Sequence, residues 1–149
     1  RIALTWSGNA SHPNDRNRSL LLAQLEPLLS APGASFVSVQ RELRDSDAEA
    51  LARDPRVLNL GPELNDFADT AAVLTLADLV ITVDTSVAHV AGALGRAAFV
   101  LLPFQPDWRW TLDRDTSPWY PAMRLFRQAS VGDWSSVIAR LRAALPGAQ

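Results

Sequence analysis

Residues 79–95 constrain this chain most: an apolar, β-branched run from Leu79 to Val83 stops at Asp84, and a small-residue helical pattern starts at once. A buried strand therefore turns directly into a helix. The first backbone N–H groups of a helix have no partner inside it and carry the positive end of its dipole. Thr85 and Ser86 add hydroxyl donors at that point, so a phosphate fits there. Val87, Val90, Ala91 and Leu94 follow the spacing of a buried stripe, whereas Thr85, His89 and Gly92 fall on the other side. His89 is thus expected off the core face. The plainer alternative is that Asp84 and Thr85 only cap the helix and His89 is a solvated surface group.

The surrounding chain decides what such a junction is for. The 149 residues suffice for one domain that buries roughly 70% of the surface exposed on unfolding. Apolar residues make up 48% and charged residues 20% of the chain, which places it among globular proteins. A net charge of −2 gives no support to a nucleic-acid partner. No apolar run reaches membrane-spanning length, and without cysteine there is neither a disulfide nor a thiolate metal site. A cytoplasmic setting is the expectation. The chain opens at Arg1 and enters a strand immediately, so we expect a piece of a longer protein.

Strands are predicted over 2–6, 36–40, 57–60, 79–83, 97–102 and 123–126. A polar loop over 7–18 contains Gly, Asn and Pro, which forbid continuation of strand or helix. Ser19 is predicted to cap a helix buried through Leu21, Leu22, Leu25, Leu28 and Leu29. Further helices are predicted over 46–53, from a cap at Asn65 or Asp66 to Ala77, and from a cap at Asp133. This alternation gives an α/β, Rossmann-like, doubly wound parallel sheet of about six strands over 1–149. In the usual order 3-2-1-4-5-6, the first and fourth strands are neighbours and a crevice opens at their carboxyl ends. Those ends are Ser7-Gly8-Asn9 and Asp84-Thr85-Ser86. The phosphate-friendly turn thus faces a polar loop bearing Arg16 and Arg18, whose guanidinium forks match phosphate oxygens. A nucleotide or other phosphorylated ligand is the favoured occupant.

Other motifs narrow the ligand. Gln40 and Glu42 end the second strand, where such folds hold a ribose, but G-x-G-x-x-G is absent and NAD is disfavoured. There is no Walker-type loop. Asp45-Ser46-Asp47 and Asp113-Arg114-Asp115 look like acidic pairs, yet two carboxylates rarely make a cation cage, and no metal is assigned. The aromatic segment 104–121 reads first as the core of its own loop, with a stacking platform for a base as the lesser alternative.

The pattern Val83-Asp84-Thr85-x-x-x-His89-x-x-x-Ala93 resembles the donor-side motif of the bacterial heptosyltransferases, inverting GT-B enzymes of glycosyltransferase family 9. Trp6-Ser7-Gly8-Asn9, Asn14-Asp15-Arg16-x-Arg18-Ser19, Asp69-Thr70-Ala71, Pro106-Asp107-Trp108-Arg109-Trp110, Ser117-Pro118-Trp119-Tyr120-Pro121 and Leu125-Phe126-Arg127-Gln128 resemble the carboxyl-terminal, heptosyltransferase-like part of bacterial tetratricopeptide-repeat proteins. The resemblance implies the donor half of a metal-independent glycosyltransferase that needs no cofactor. It implies a UDP- or ADP-linked sugar bound at Thr85, Ser86 and the first loop, Asp84 or His89 facing sugar or phosphate, and Gln40 on the nucleoside. The facing acceptor domain and repeats would lie elsewhere in the longer chain, which would hold the general base; the isolated piece would bind without turnover. One departure is Ser86, where the family has glycine, and the family's basic first-loop residue is matched loosely by Arg16 or Arg18. A non-catalytic nucleotide-binding or interaction module on a repeat array and a sugar-nucleotide epimerase are the alternatives.

Overall fold

A computed structural model describes residues 1–145. Six parallel strands, β1 (Ile2–Thr5), β2 (Phe36–Ser38), β3 (Val57–Asn59), β4 (Leu79–Val83), β5 (Ala98–Leu102) and β6 (Met123–Arg127), lie in the order β3-β2-β1-β4-β5-β6. This is the doubly wound α/β sheet that the alternation predicts. Successive side chains of a strand point to opposite faces, so each central strand must be apolar on both. Accordingly Ile2, Leu4, Ile81, Val83 and Leu101 enter one core, and Ala3, Val80, Val100 and Leu102 the other.

The first core is covered by a 3₁₀ turn (Leu22–Leu25), α2 (Glu26–Leu29) and α6 (Trp134–Ala143), which bring in Leu25, Leu28, Trp134, Val137 and Leu141. The second is covered by α4 (Phe67–Leu76) and α5 (Ser86–Ala93) through Leu74, Val87, Ala88 and Ala91, together with Trp110. A further helix, α3 (Asp45–Arg53), precedes β3. Two predicted caps hold. Asp66 accepts from the N–H groups of Ala68 and Asp69, and Asp133 from that of Ser136.

Three local expectations are corrected. Residues 7–18 are not all loop: Asp15–Arg18 form the one-turn helix α1. The helix expected after Ser19 is split into the 3₁₀ turn and α2, because Pro27 has no N–H to continue a hydrogen-bonded ladder. Leu21 consequently points outward, Leu20 is buried in its place, and Ser19 closes α1 rather than starting the next helix; its hydroxyl donates to Asp15. On α5, Leu94 lies past the last helical turn and is exposed, while Ala88 is buried.

Candidate functional site

The crevice forms where β1 and β4 end side by side. Arg18, on the last turn of α1, sends Nη1 to the Asp84 carbonyl oxygen at 2.8 Å, tying the first loop to the turn before α5. Gly8 permits this crossing, since a Cβ there would lie 2.6 Å from Arg18 Nη2. Behind it, the Gly8 N–H donates to Ser19 Oγ (2.9 Å), Ser19 Oγ donates to Asp15 Oδ1 (2.5 Å), and Arg44 Nη2 donates to Asp15 Oδ2 (2.5 Å). A buried carboxylate is thereby paired and hydrogen-bonded, and α1 is held in place.

Two clefts flank this crossing. The cleft on the β2 side, about 400 Å³, is lined by Ser7, Gly8, Asn9, Arg18, Val39, Gln40, Arg41, Glu42, Phe67, Thr70, Thr85 and Ser86, among others. The cleft on the β5 side, about 740 Å³, is lined by His12, Asn14, Arg18, Asp84, Thr85, Ser86, His89, Gln105, Pro106, Asp107 and Arg109. Arg18, Thr85 and Ser86 border both. Nine of the ten residues picked from sequence line one cleft or the other. Arg16 is the exception: it is exposed and lines neither, because its place on the one-turn helix turns it away while Arg18 faces in.

Thr85 occupies the N-cap position of α5, yet its side chain makes no capping bond; its hydroxyl lies 3.3 Å from that of Thr82. A side-chain capping bond is therefore not what holds Thr85, and no side chain caps the first turn of α5. His89 is half-buried rather than solvated. Its Nδ1 is 3.1 Å from Tyr120 Oη, and its ring stacks on Trp110 with centroids 5.5 Å apart.

Gln40 has a different employment from the one the resemblance implied. Its Oε1 accepts from the N–H groups of Trp6 and Ser7, both at 3.1 Å, and its Nε2 donates to the carbonyls of Ser7 and Glu42, both at 3.0 Å. Every polar valence of the amide is used inside the protein, so Gln40 splices the ends of β1 and β2. Asp47 likewise serves structure, accepting from Trp6 Nε1 (2.8 Å) and the Leu22 N–H (2.9 Å).

Sequence reasoning did not pick His12, Asn14, Gln105 and Asp107 of the second cleft as ligand contacts, because they sit in segments without periodicity. Asp107 accepts from the Arg109 N–H (3.0 Å) and guanidinium (2.8 Å). Burial works to raise its carboxyl, but those two bonds, with the nearby Arg109 and His89 charges, hold it below the usual range. The aromatic segment is only partly a core: Trp110 is 1% exposed, whereas Trp108 and Trp119 are 71% and 59% exposed. Among the described residues, no group of three or more His, Asp or Glu side chains gathers as for a metal ion.

The sheet order, the switch-point crevice and the β4–α5 turn all fall within or beside one recognisable stretch. Residues 36–102 match glycosyltransferase family 9 (heptosyltransferase). That stretch runs from β2 to β5 and contains Asp84, Thr85, Ser86 and His89. The chain is also similar to Protein FlbA of Caulobacter vibrioides (strain ATCC 19089 / CIP 103742 / CB 15), 33% identical over 127 residues, covering 80% of this chain and 20% of that protein. The chain thus spans about a fifth of the length of this curated relative. No solved structure matches it. No helix of the described residues is long and apolar enough to cross a membrane.

Proposed function

We propose that this chain is the donor-binding half of a glycosyltransferase and holds a nucleoside diphosphate sugar across the carboxyl ends of β1 and β4. One observation carries the reading: Arg18, Thr85 and Ser86 border both clefts, so an elongated ligand charged at its centre finds one cation with hydroxyl and N–H donors there and a separate cleft for each end. The β2-side cleft has the apolar Val39 and Phe67 for a base, with Glu42 for ribose hydroxyls. The β5-side cleft offers His12, Asn14, Asp84, Gln105 and Asp107 to hydrogen-bond a sugar. The match to glycosyltransferase family 9 over 36–102 supports the same class of ligand.

In this reading the reaction is a displacement without a metal. An acceptor oxygen bonds to the anomeric carbon, the bond from that carbon to the diphosphate oxygen breaks, and the acceptor proton passes to a base. The departing diphosphate gains charge at the α5 start, where the helix N–H groups, the Thr85 hydroxyl and Arg18 would receive it. The base and the facing wall belong to the remainder of the longer protein, together with any tetratricopeptide repeats.

The test is thermal unfolding with UDP, ADP, GDP and CDP. At ~100 times its dissociation constant the preferred diphosphate should add about 2.7 kcal/mol of stability. If none of the four raises the melting temperature more than inorganic phosphate does, the reading fails.

A further inference from the structure

The connection between β5 and β6 holds a second concave surface next to the sugar cleft. It encloses about 460 Å³ and is lined by His89, Trp108, Arg109, Trp110, Trp119 and Tyr120. His89 and Arg109 also line the β5-side cleft, so the two spaces adjoin. Two tryptophans this exposed keep apolar area in water at a free-energy cost, which burial against a ligand would relieve.

This surface is built rigid. Asp107 caps the turn Trp108–Trp110, and the Arg109 guanidinium sits 5.0 Å from the centre of the Trp108 ring. Trp119 Nε1 donates to the Arg109 carbonyl at 3.1 Å, while the Ser117 hydroxyl accepts from the N–H groups of Trp119 and Tyr120 at 3.2 Å. Arg127 reaches up from β6 and donates to the carbonyls of Trp110, Thr111, Leu112 and Arg114. Rings fixed in this way lose little entropy on binding.

We propose that this cup is a saccharide subsite, in which the indole rings of Trp108 and Trp119 stack on the C–H face of a sugar ring of the acceptor. It rests on the donor reading above, which makes the saccharide beside the sugar cleft an acceptor rather than a stray ligand. An aromatic face is negative and a sugar's C–H face is weakly positive, so the two attract while apolar area is buried. The edges of the cup carry Arg109, His89 and Tyr120 for the ring hydroxyls. A nucleobase also stacks on indoles. It is the poorer occupant here, since the β2-side cleft already offers Val39 and Phe67 on the far side of the anion site.

The experiment follows the indole N–H signals of the ¹⁵N-labelled chain by NMR during titration with methyl glycosides and oligosaccharides of glucose, mannose and N-acetylglucosamine, with sorbitol as a ring-free control. Ring saccharides should move the Trp108 and Trp119 signals and sorbitol should not. Trp119→Ala should weaken saccharide binding about tenfold, and Trp119→Phe should restore most of it. The proposal falls if no saccharide moves the indoles, if uridine or adenosine moves them instead, or if Trp119→Ala binds saccharides as well as the unaltered chain does. It also falls if the chain sediments as a dimer that Trp108→Ala converts to monomer, because a second copy would then cover the cup. UDP and ADP added to the same samples read the donor site through the Ser86 and Val87 backbone signals. Silence there, with saccharide binding intact, would sink the donor reading and with it the acceptor role, and would leave the cup a saccharide site.

Discussion

The Arg18 guanidinium donates to the Asp84 carbonyl across 66 positions of sequence, and this one bond sets the distance between the two loops of the crevice. Arg18→Ala should therefore act twice. The lost charge-assisted bond should lower stability by about 1.5 kcal/mol, or about 3 to 6 °C in melting temperature. Nucleoside diphosphate affinity should fall while free nucleoside affinity stays the same; calorimetry with both ligands checks the second effect.

Thr85→Val should separate binding from folding. The Thr85 hydroxyl makes no capping bond, so unfolding in denaturant should shift by less than about 0.5 kcal/mol. Diphosphate affinity should fall by roughly 1.5 to 3 kcal/mol, the worth of a hydrogen bond to a charged group. Equal weakening of nucleoside and nucleoside diphosphate would contradict this placement.

Gly92 lies against the Tyr120 ring, and a Cβ there would come within 2.4 Å of two ring carbons. Helix propensity alone would make Gly92→Ala stabilising by about 1 kcal/mol. The clash with an aromatic ring wins, and the variant should be destabilised by about 1 to 3 kcal/mol. The His89–Tyr120 contact should break with it, which the histidine ring signals report by NMR.

Acid stability should depend on Arg56, which joins Glu26 on α2 to Asp54 at the entrance to β3. Hydrogen bonds from Arg56 hold both carboxyls below their ordinary values of 4.5 and 3.8. A carboxyl lowered in the folded state stabilises above its unfolded pKa, and that contribution is lost as pH falls through the folded one. Unfolding measured from pH 5 downward should therefore show a steeper loss of stability below about 4.5 in the unaltered chain than in Arg56→Met.

Much of the fold was legible in sequence because it is written in neighbouring residues. The β-branched run ending at Asp84 and the helical spacing after it place β4, α5 and the turn between them without reference to anything distant. Asp66 and Asp133 announce helix starts for the same reason, since a cap bonds to N–H groups two or three residues away. The alternation of these elements then implies the strand order and the crevice, because parallel strands joined by right-handed crossovers have few arrangements.

Tertiary structure alone decided how polar side chains are spent. Whether Gln40 faces a ligand or closes on Trp6 and Ser7 depends on groups 34 and 33 positions away, which no local pattern records. Arg16 and Arg18 are equivalent in sequence, and only the one-turn helix α1 aims one at Asp84 and the other at solvent. Trp108, Trp110 and Trp119 share one composition, yet packing against the sheet buries Trp110 and leaves the other two open. Periodicity settles which elements form. Long-range contacts settle which polar and aromatic groups remain for a ligand.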